Sequence, residues 1–149
     1  MRDNIPNVRY QSVTSPEGRR SVLVVSPREE TRSKLANFLS PAQWTVIEVA
    51  DISEAAALLE QKTISVIIAE GSWRPILERA CAFAEAPSVV VTAPFADEAL
   101  WAEVLNTGGY DVMSQPFDRE EVMRITSAAM RRATMPGSNR NSFSTAASN

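Results

Sequence analysis

Four polar side chains stand at the ends of apolar runs, and they are the residues of this chain that could do chemistry. They are Ser26, Glu70, Thr92 and Gln115. Glu70 closes the apolar run 66–69, which places a carboxylate at the end of a buried strand. The four side chains supply no nucleophile–base pair and no metal cluster, and the chain has no histidine, the commonest general base. We therefore expect no catalytic residue, no bound metal and no enzymatic activity.

The composition indicates one soluble domain with a real core. The chain has 149 residues, of which 44% are hydrophobic and 22% are charged. Its net charge is −3, whereas a nucleic-acid-binding domain is expected to carry an excess of positive charge. No apolar run approaches the ~20 residues that cross a bilayer, and the N-terminus has no apolar signal segment. The single cysteine excludes an intramolecular disulfide. We expect a cytoplasmic protein that binds neither nucleic acid nor membrane.

Hydrophobic periodicity predicts five strands that alternate with five helices. The strands are expected at 22–25, 45–49, 65–69, 88–92 and 111–114, with a helix after each, the third over 75–84 and the fourth over 97–106. Parallel strands need such crossover connections, so the pattern predicts an α/β protein with a parallel sheet covered on both faces. Right-handed crossovers favour a doubly wound, flavodoxin-like sheet with the strand order 2-1-3-4-5.

Local signals predict where several helices begin and end. Ser26, Asp51 and Asp118 are each followed three positions later by Glu, the pattern of a capping box at a helix N-terminus. Pro27 suits the first helical position after Ser26. Gly108, followed by a second glycine, is typical of a left-handed helix C-cap.

The ends of the chain differ in composition from its middle. Residues 1–20 are polar and interrupted by Pro and Gly, and we expect an irregular lead-in there. Residues 21–132 carry the regular pattern and form the predicted domain. Residues 133–149 are rich in Ser and Asn, which predicts a disordered tail or the stub of a linker to a further domain.

The runs Val-Leu-Val-Val at 22–25, Val-Val-Val-Thr-Ala at 89–93 and Gln-Pro-Phe at 115–117 carry a resemblance to a known family. Over about residues 21–132 the chain resembles the receiver domains of bacterial response regulators. In that family an acidic pair, the phosphoryl-accepting Asp, a Thr or Ser, and a Lys stand at the four strand ends. The resemblance also implies a cis peptide bond between Gln115 and Pro116.

Only Thr92 keeps the residue type that the family has in this pocket. Ser26 and Pro27 replace the acidic pair, Glu70 replaces the Asp, and Gln115 replaces the Lys. Mg²⁺ depends on carboxylate oxygens, so we expect its binding to be weak or absent. Phosphoryl transfer depends on positioning and on charge neutralisation, and both cations of the family pocket are missing here. The resemblance therefore implies a degenerate receiver that is not phosphorylated at Glu70.

Several roles stay open on the residues alone. Glu70 is either a fixed mimic of a phosphoryl group or a solvated carboxylate at a strand end. Val112 stands where the family has the aromatic partner of the Thr switch. Trp73 could lie over the pocket, and Trp101 on the fourth helix is either core or interface. Cys81 is expected to be a buried small hydrophobe.

The preferred hypothesis is a pseudo-receiver that binds a protein partner, an output domain or a second copy of itself without phosphorylation. The expected surface is the fourth helix, fifth strand and fifth helix, with Trp101, Val112 and Asp118 as candidates. The alternatives are a receiver that is still phosphorylated in a two-component pathway, and a small-ligand sensor or enzyme that uses the emptied pocket. The sequence names neither the partner nor the oligomeric state, and it leaves open an output domain after residue 149.

Overall fold

The computed structural model describes residues 20–135 of the chain. The predictions of an irregular segment at 1–19 and of a tail at 136–149 lie outside these residues. The strands are β1 (Ser21–Val25), β2 (Thr45–Val49), β3 (Val66–Glu70), β4 (Ser88–Ala93) and β5 (Asp111–Ser114). The helices are α1 (Glu29–Leu39), α2 (Ile52–Gln61), α3 (Trp73–Cys81), α4 (Glu98–Thr107) and α5 (Arg119–Thr134). The last helix ends two residues beyond the predicted domain boundary at 132.

The five strands form one parallel sheet in the order β2-β1-β3-β4-β5, which confirms the predicted flavodoxin-like fold. Its central strands are buried along their whole length, as strands covered on both faces are. Successive side chains of β1 point to opposite faces: Leu23 and Val25 pack with α2, α3 and α4, whereas Val22 and Val24 pack with α1 and α5. The sheet is therefore packed against helices on both faces.

Most of the predicted helix ends are confirmed. The carboxylates of Asp51 and Asp118 accept hydrogen bonds from the backbone N–H groups of Glu54 and Glu121, so both residues are N-caps. Gly108 ends α4 with a φ of 111°, a conformation that favours glycine.

The prediction that Ser26 caps a helix beginning at Pro27 was wrong. α1 begins at Glu29, and its N-cap is Arg28, whose side chain makes no capping hydrogen bond. The Ser26 hydroxyl instead accepts from the Arg28 N–H at 3.0 Å and donates to a side chain on another strand. The hydroxyl therefore binds the N–H of the second residue after Ser26, and the chain stays extended through Arg28 instead of entering the helix at Pro27.

The third helix also departs from its prediction. It spans Trp73–Cys81 rather than 75–84, so Phe83 lies beyond it and is partly exposed. Cys81 is at the exposed end of the helix, and the prediction that it is buried was wrong. Burial of its sulfur is nevertheless sufficient to raise the pKa of the thiol. Trp73 is buried and belongs to the same core cluster as the buried residues of α2. The sequence left open whether its side chain lies over the pocket, and the structure assigns it to the core.

Candidate functional site

The carboxyl end of the sheet brings the four predicted pocket residues together. Ser26 follows β1, Glu70 ends β3 and pairs in register with Thr92 of β4, and Gln115 follows β5. The Gln115–Pro116 peptide bond is cis, as the resemblance implied. Ligands of open parallel sheets bind at this end of the strands, so this cluster is the candidate site.

The Glu70 carboxylate is the centre of the cluster and is saturated with hydrogen bonds. Its Oε1 accepts from the Ser26 hydroxyl at 2.6 Å, and its Oε2 accepts from the Gln115 amide Nε2 at 2.9 Å. The residue is only 8% exposed. This excludes the alternative of a solvated carboxylate at a strand end.

Arg28 is the residue of this site that the sequence analysis missed. Its Nη2 lies 2.7 Å from Glu70 Oε2, and its Nε donates to Glu70 Oε1 at 3.4 Å. The same Nη2 donates to the Gln115 side-chain oxygen at 2.8 Å. The pocket therefore contains a cation after all, although the family Lys is absent. The available signal was the cationic side chain two positions after Ser26.

Thr92 is tied to the same network from the other side. Its hydroxyl donates to the Met113 carbonyl at 2.9 Å and accepts from the Gln115 amide at 3.3 Å. Thr92 is 1% exposed, so its hydroxyl needs both partners to offset burial. The network thus runs from the start of α1 through β3 and β4 to β5.

Charge and hydrogen bonding control the protonation of this site. Burial by itself raises the pKa of Glu70, but hydrogen bonds from Arg28, Gln115, Ser26 and Thr31 outweigh it and lower the pKa to about 2. The hydrogen bond and the charge of Glu70 raise the pKa of Arg28. Both groups are therefore ionised at neutral pH, and the net charge of the pair is zero.

The donor set does not fit Mg²⁺. Glu70 is the one carboxylate of the cluster, and both its oxygens already face hydrogen-bond donors. Pro27 is exposed and has no side-chain oxygen, and the Ser26 hydroxyl is directed at Glu70. Near-octahedral oxygen coordination needs more oxygen ligands than these. Within residues 20–135 no three His, Cys, Asp or Glu side chains form a group that could hold a metal ion.

The predicted interface residues occupy different environments. Trp101 is 49% exposed, and its Nε1 lies 3.3 Å from the Asp111 carboxylate on β5. Val112 is 7% exposed and belongs to the core, so its side chain contributes little surface. Asp118 is exposed, but its carboxylate is engaged as the N-cap of α5. Phe95, which the sequence analysis did not single out, is 87% exposed in the loop before α4.

No protein-family model matches the chain, and no curated protein matches it. Solved structures do match. The signal receiver domain of a Luxo repressor protein from Vibrio parahaemolyticus is 15% identical, with a TM-score of 0.72 over 78% of this chain and 93% of that chain. The beryllofluoride-activated NtrC4 receiver domain dimer is 18% identical, with a TM-score of 0.71 over 77% and 99%.

A third match is to the Saccharomyces cerevisiae co-crystal structure of the histidine phosphotransfer protein Ypd1 and the receiver domain of Ssk1. It is 14% identical, with a TM-score of 0.66 over 78% of this chain and 93% of that chain. The chain therefore has the fold of response-regulator receiver domains, and the predicted resemblance is confirmed at the level of fold. No helix of the described part is long and apolar enough to span a membrane.

Proposed function

We propose that this chain is an atypical receiver domain that acts as a phosphorylation-independent protein-interaction module in signal transduction. The observation that carries the proposal is the Arg28–Glu70 ion pair at the place of the phosphoryl acceptor. The acceptor position is occupied by an ionised carboxylate that is already neutralised and hydrogen-bonded. A phosphoryl group there would have to displace these contacts and find other cations. On this proposal the domain is not an enzyme and uses no Mg²⁺ cofactor.

The first experiment is an intact-mass measurement after incubation with acetyl phosphate and Mg²⁺, beside a conventional receiver domain as a positive control. We expect the control to gain one phosphoryl mass and this protein to gain none. A phosphoryl adduct on this chain would contradict the proposal. It would favour the alternative of a conventional two-component receiver, for which the yeast match in complex with a phosphotransfer protein is the precedent.

The proposed interaction surface is the face of α4, β5 and α5, with Trp101 at its centre. A half-exposed Trp is a strong candidate for an interface hot spot. Its indole N–H is within hydrogen-bonding distance of Asp111, which orients the ring on the surface rather than in the core. The matched NtrC4 domain is a dimer, which makes a second copy of this chain one candidate partner. We place this interaction in the cytoplasm.

The surface can be tested with a photo-crosslinking amino acid at position 101 in cells. Position 83 is the matched control, because Phe83 is also a partly exposed aromatic residue but follows α3 and lies outside α4, β5 and α5. We expect a discrete cross-linked product from position 101 and none of the same mass from position 83. The same product from both positions would contradict the assignment of this face.

A further inference from the structure

The cation that pairs with Glu70 is a side chain of the chain itself, Arg28. We propose that Arg28 is a tethered cation that permanently occupies the pocket and clasps three strand ends together, in a site built for a guanidinium rather than a metal ion. This inference rests on the proposed function and deepens it, because it says which group neutralises Glu70. Arg28 is a positioning residue in this view.

The acceptors around Arg28 match the shape of a guanidinium. Two of its nitrogens face the two oxygens of Glu70, the side-by-side arrangement in which arginine binds a carboxylate. A third acceptor, the Gln115 side-chain oxygen, lies 2.8 Å from Nη2. A planar group with fixed donor directions satisfies these three oxygens, whereas Mg²⁺ would lack most of its oxygen shell.

The backbone before α1 aims Arg28 at the pocket. Arg28 has an extended conformation, with φ −99° and ψ 120°, rather than a helical one. Its N–H donates to the Ser26 hydroxyl, which fixes the turn between β1 and α1. One helical turn later, Arg32 donates through Nη1 to the Ser26 carbonyl at 2.8 Å. The turn is therefore held at both its side chain and its backbone.

The contacts of Arg28 connect distant parts of the chain. Glu70 is 42 residues away and Gln115 is 87 residues away. Gln115 in turn contacts Thr92, whose hydroxyl binds the β5 backbone at Met113. Without the guanidinium, the Glu70 carboxylate loses its cation and the Gln115 side-chain oxygen loses a hydrogen-bond donor. The effect of its loss is therefore expected to reach β5 and the Trp101 face beside it.

The test is chemical rescue of an Arg28→Ala variant. Thermal unfolding is measured for the wild type, for Arg28→Ala and for Arg28→Ala/Glu70→Gln, each with methylguanidinium chloride, MgCl₂ or KCl at matched millimolar ionic strength. We expect Arg28→Ala to unfold several degrees below the wild type, because it leaves a buried carboxylate unpaired. Methylguanidinium should restore at least half of that loss, and KCl should not.

The double variant is the matched control, because the amide introduced by Glu70→Gln is neutral and offers no bidentate anion. It should show no stabilisation by methylguanidinium, and it also serves if Arg28→Ala alone fails to fold, since it should then recover a cooperative transition. A rescue by MgCl₂ equal to that by methylguanidinium would overturn the proposal, as would the absence of any rescue in a folded Arg28→Ala protein.

A second measurement tests whether Arg28 holds the β5 side of the site in place, as distinct from stabilising the fold in general. Indole N–H signals in nuclear magnetic resonance spectra report each Trp, and a Trp101→Phe variant assigns the signal of Trp101. In Arg28→Ala the Trp101 signal should shift and return on addition of methylguanidinium. An unmoved signal would overturn the connection to β5. Each of these results is independent of the acetyl phosphate assay on the wild type, so the failure of this inference and of the proposed function are distinguishable.

Discussion

The pocket at the strand ends and the surface of α4 differ in how many of their groups have partners. The polar groups of the pocket are hydrogen-bonded, whereas α4 leaves a large aromatic side chain exposed. In the pocket, Glu70 is 8% exposed and every polar group named above has a partner. On the surface, α4 has a single buried residue, Val104, while Trp101 is 49% exposed. The side chains at the strand ends therefore bind one another. The α4 surface leaves apolar area exposed to solvent, and for this reason we propose that a partner binds there.

The difference also concerns rigidity. Hydrogen bonds between four strand ends hold the pocket together. Those of Arg28 reach Glu70 and Gln115, which lie 42 and 87 residues further along the chain. α4 is held by Val104, by the partly buried Leu100 and by an ion pair between Arg74 and Glu103. An element with so few buried contacts is expected at the low-stability end of the molecule.

The largest expected effect concerns acid and the pocket. The pKa of Glu70 is about 2 in the folded state, below its ordinary value of 4.5, so the pair contributes stability that is fully present above pH 4.5 and is lost as the pH falls towards 2. At ~1.4 kcal/mol per pKa unit the loss is at most about 3.5 kcal/mol, and it is less after solvent screening because the Arg28 side chain is half exposed.

The measurement is urea unfolding of the wild type and of Glu70→Gln between pH 6 and pH 2.5. The difference in unfolding free energy between them should shrink as the pH falls. A difference that is constant over this range would mean that Glu70 is not paired in the pocket.

The next effect tests how α4 is anchored. A Cβ atom on Gly109 would lie 2.4 Å from Val104 Cγ1 and 3.1 Å from the Val104 carbonyl oxygen. Gly109→Ala should therefore displace the one buried residue of α4, at a cost of about 2 kcal/mol in unfolding free energy. The control is Asn106→Ala, an exposed change on the same helix, which should alter stability by less than ~0.5 kcal/mol. Equal stability of the two variants would show that α4 adjusts freely.

The smallest effect on stability should come from Trp101 itself. Trp101→Phe removes one exposed hydrogen bond, to Asp111, and should change the unfolding free energy by less than ~0.5 kcal/mol. If this face binds a partner, the same substitution should weaken binding by about 2 kcal/mol, because truncating a Trp at an interface hot spot typically costs at least that much. A large loss of stability would instead assign Trp101 to the core and reverse the comparison.

Particular residues show where sequence reasoning succeeded. Asp51, Asp118 and Gly108 act within three or four residues of themselves, so their capping roles were readable from short patterns. The same holds for the parallel sheet, because alternating strands and helices permit few topologies. Ser26 carried an equally good capping pattern, and it failed because the chain stays extended through Arg28, whose side chain reaches Glu70, so that the helix begins only at Glu29.

The pattern of residues was sufficient to predict the alternation of strands and helices, the sheet order and the four polar residues at the strand ends. The folded structure was needed to show that Arg28 supplies the cation, that Trp73 is buried and that Trp101 and Cys81 are exposed. The physical reason is distance along the chain. Propensities and caps are local, whereas an ion pair and the exposure of a side chain depend on which remote elements the fold brings together.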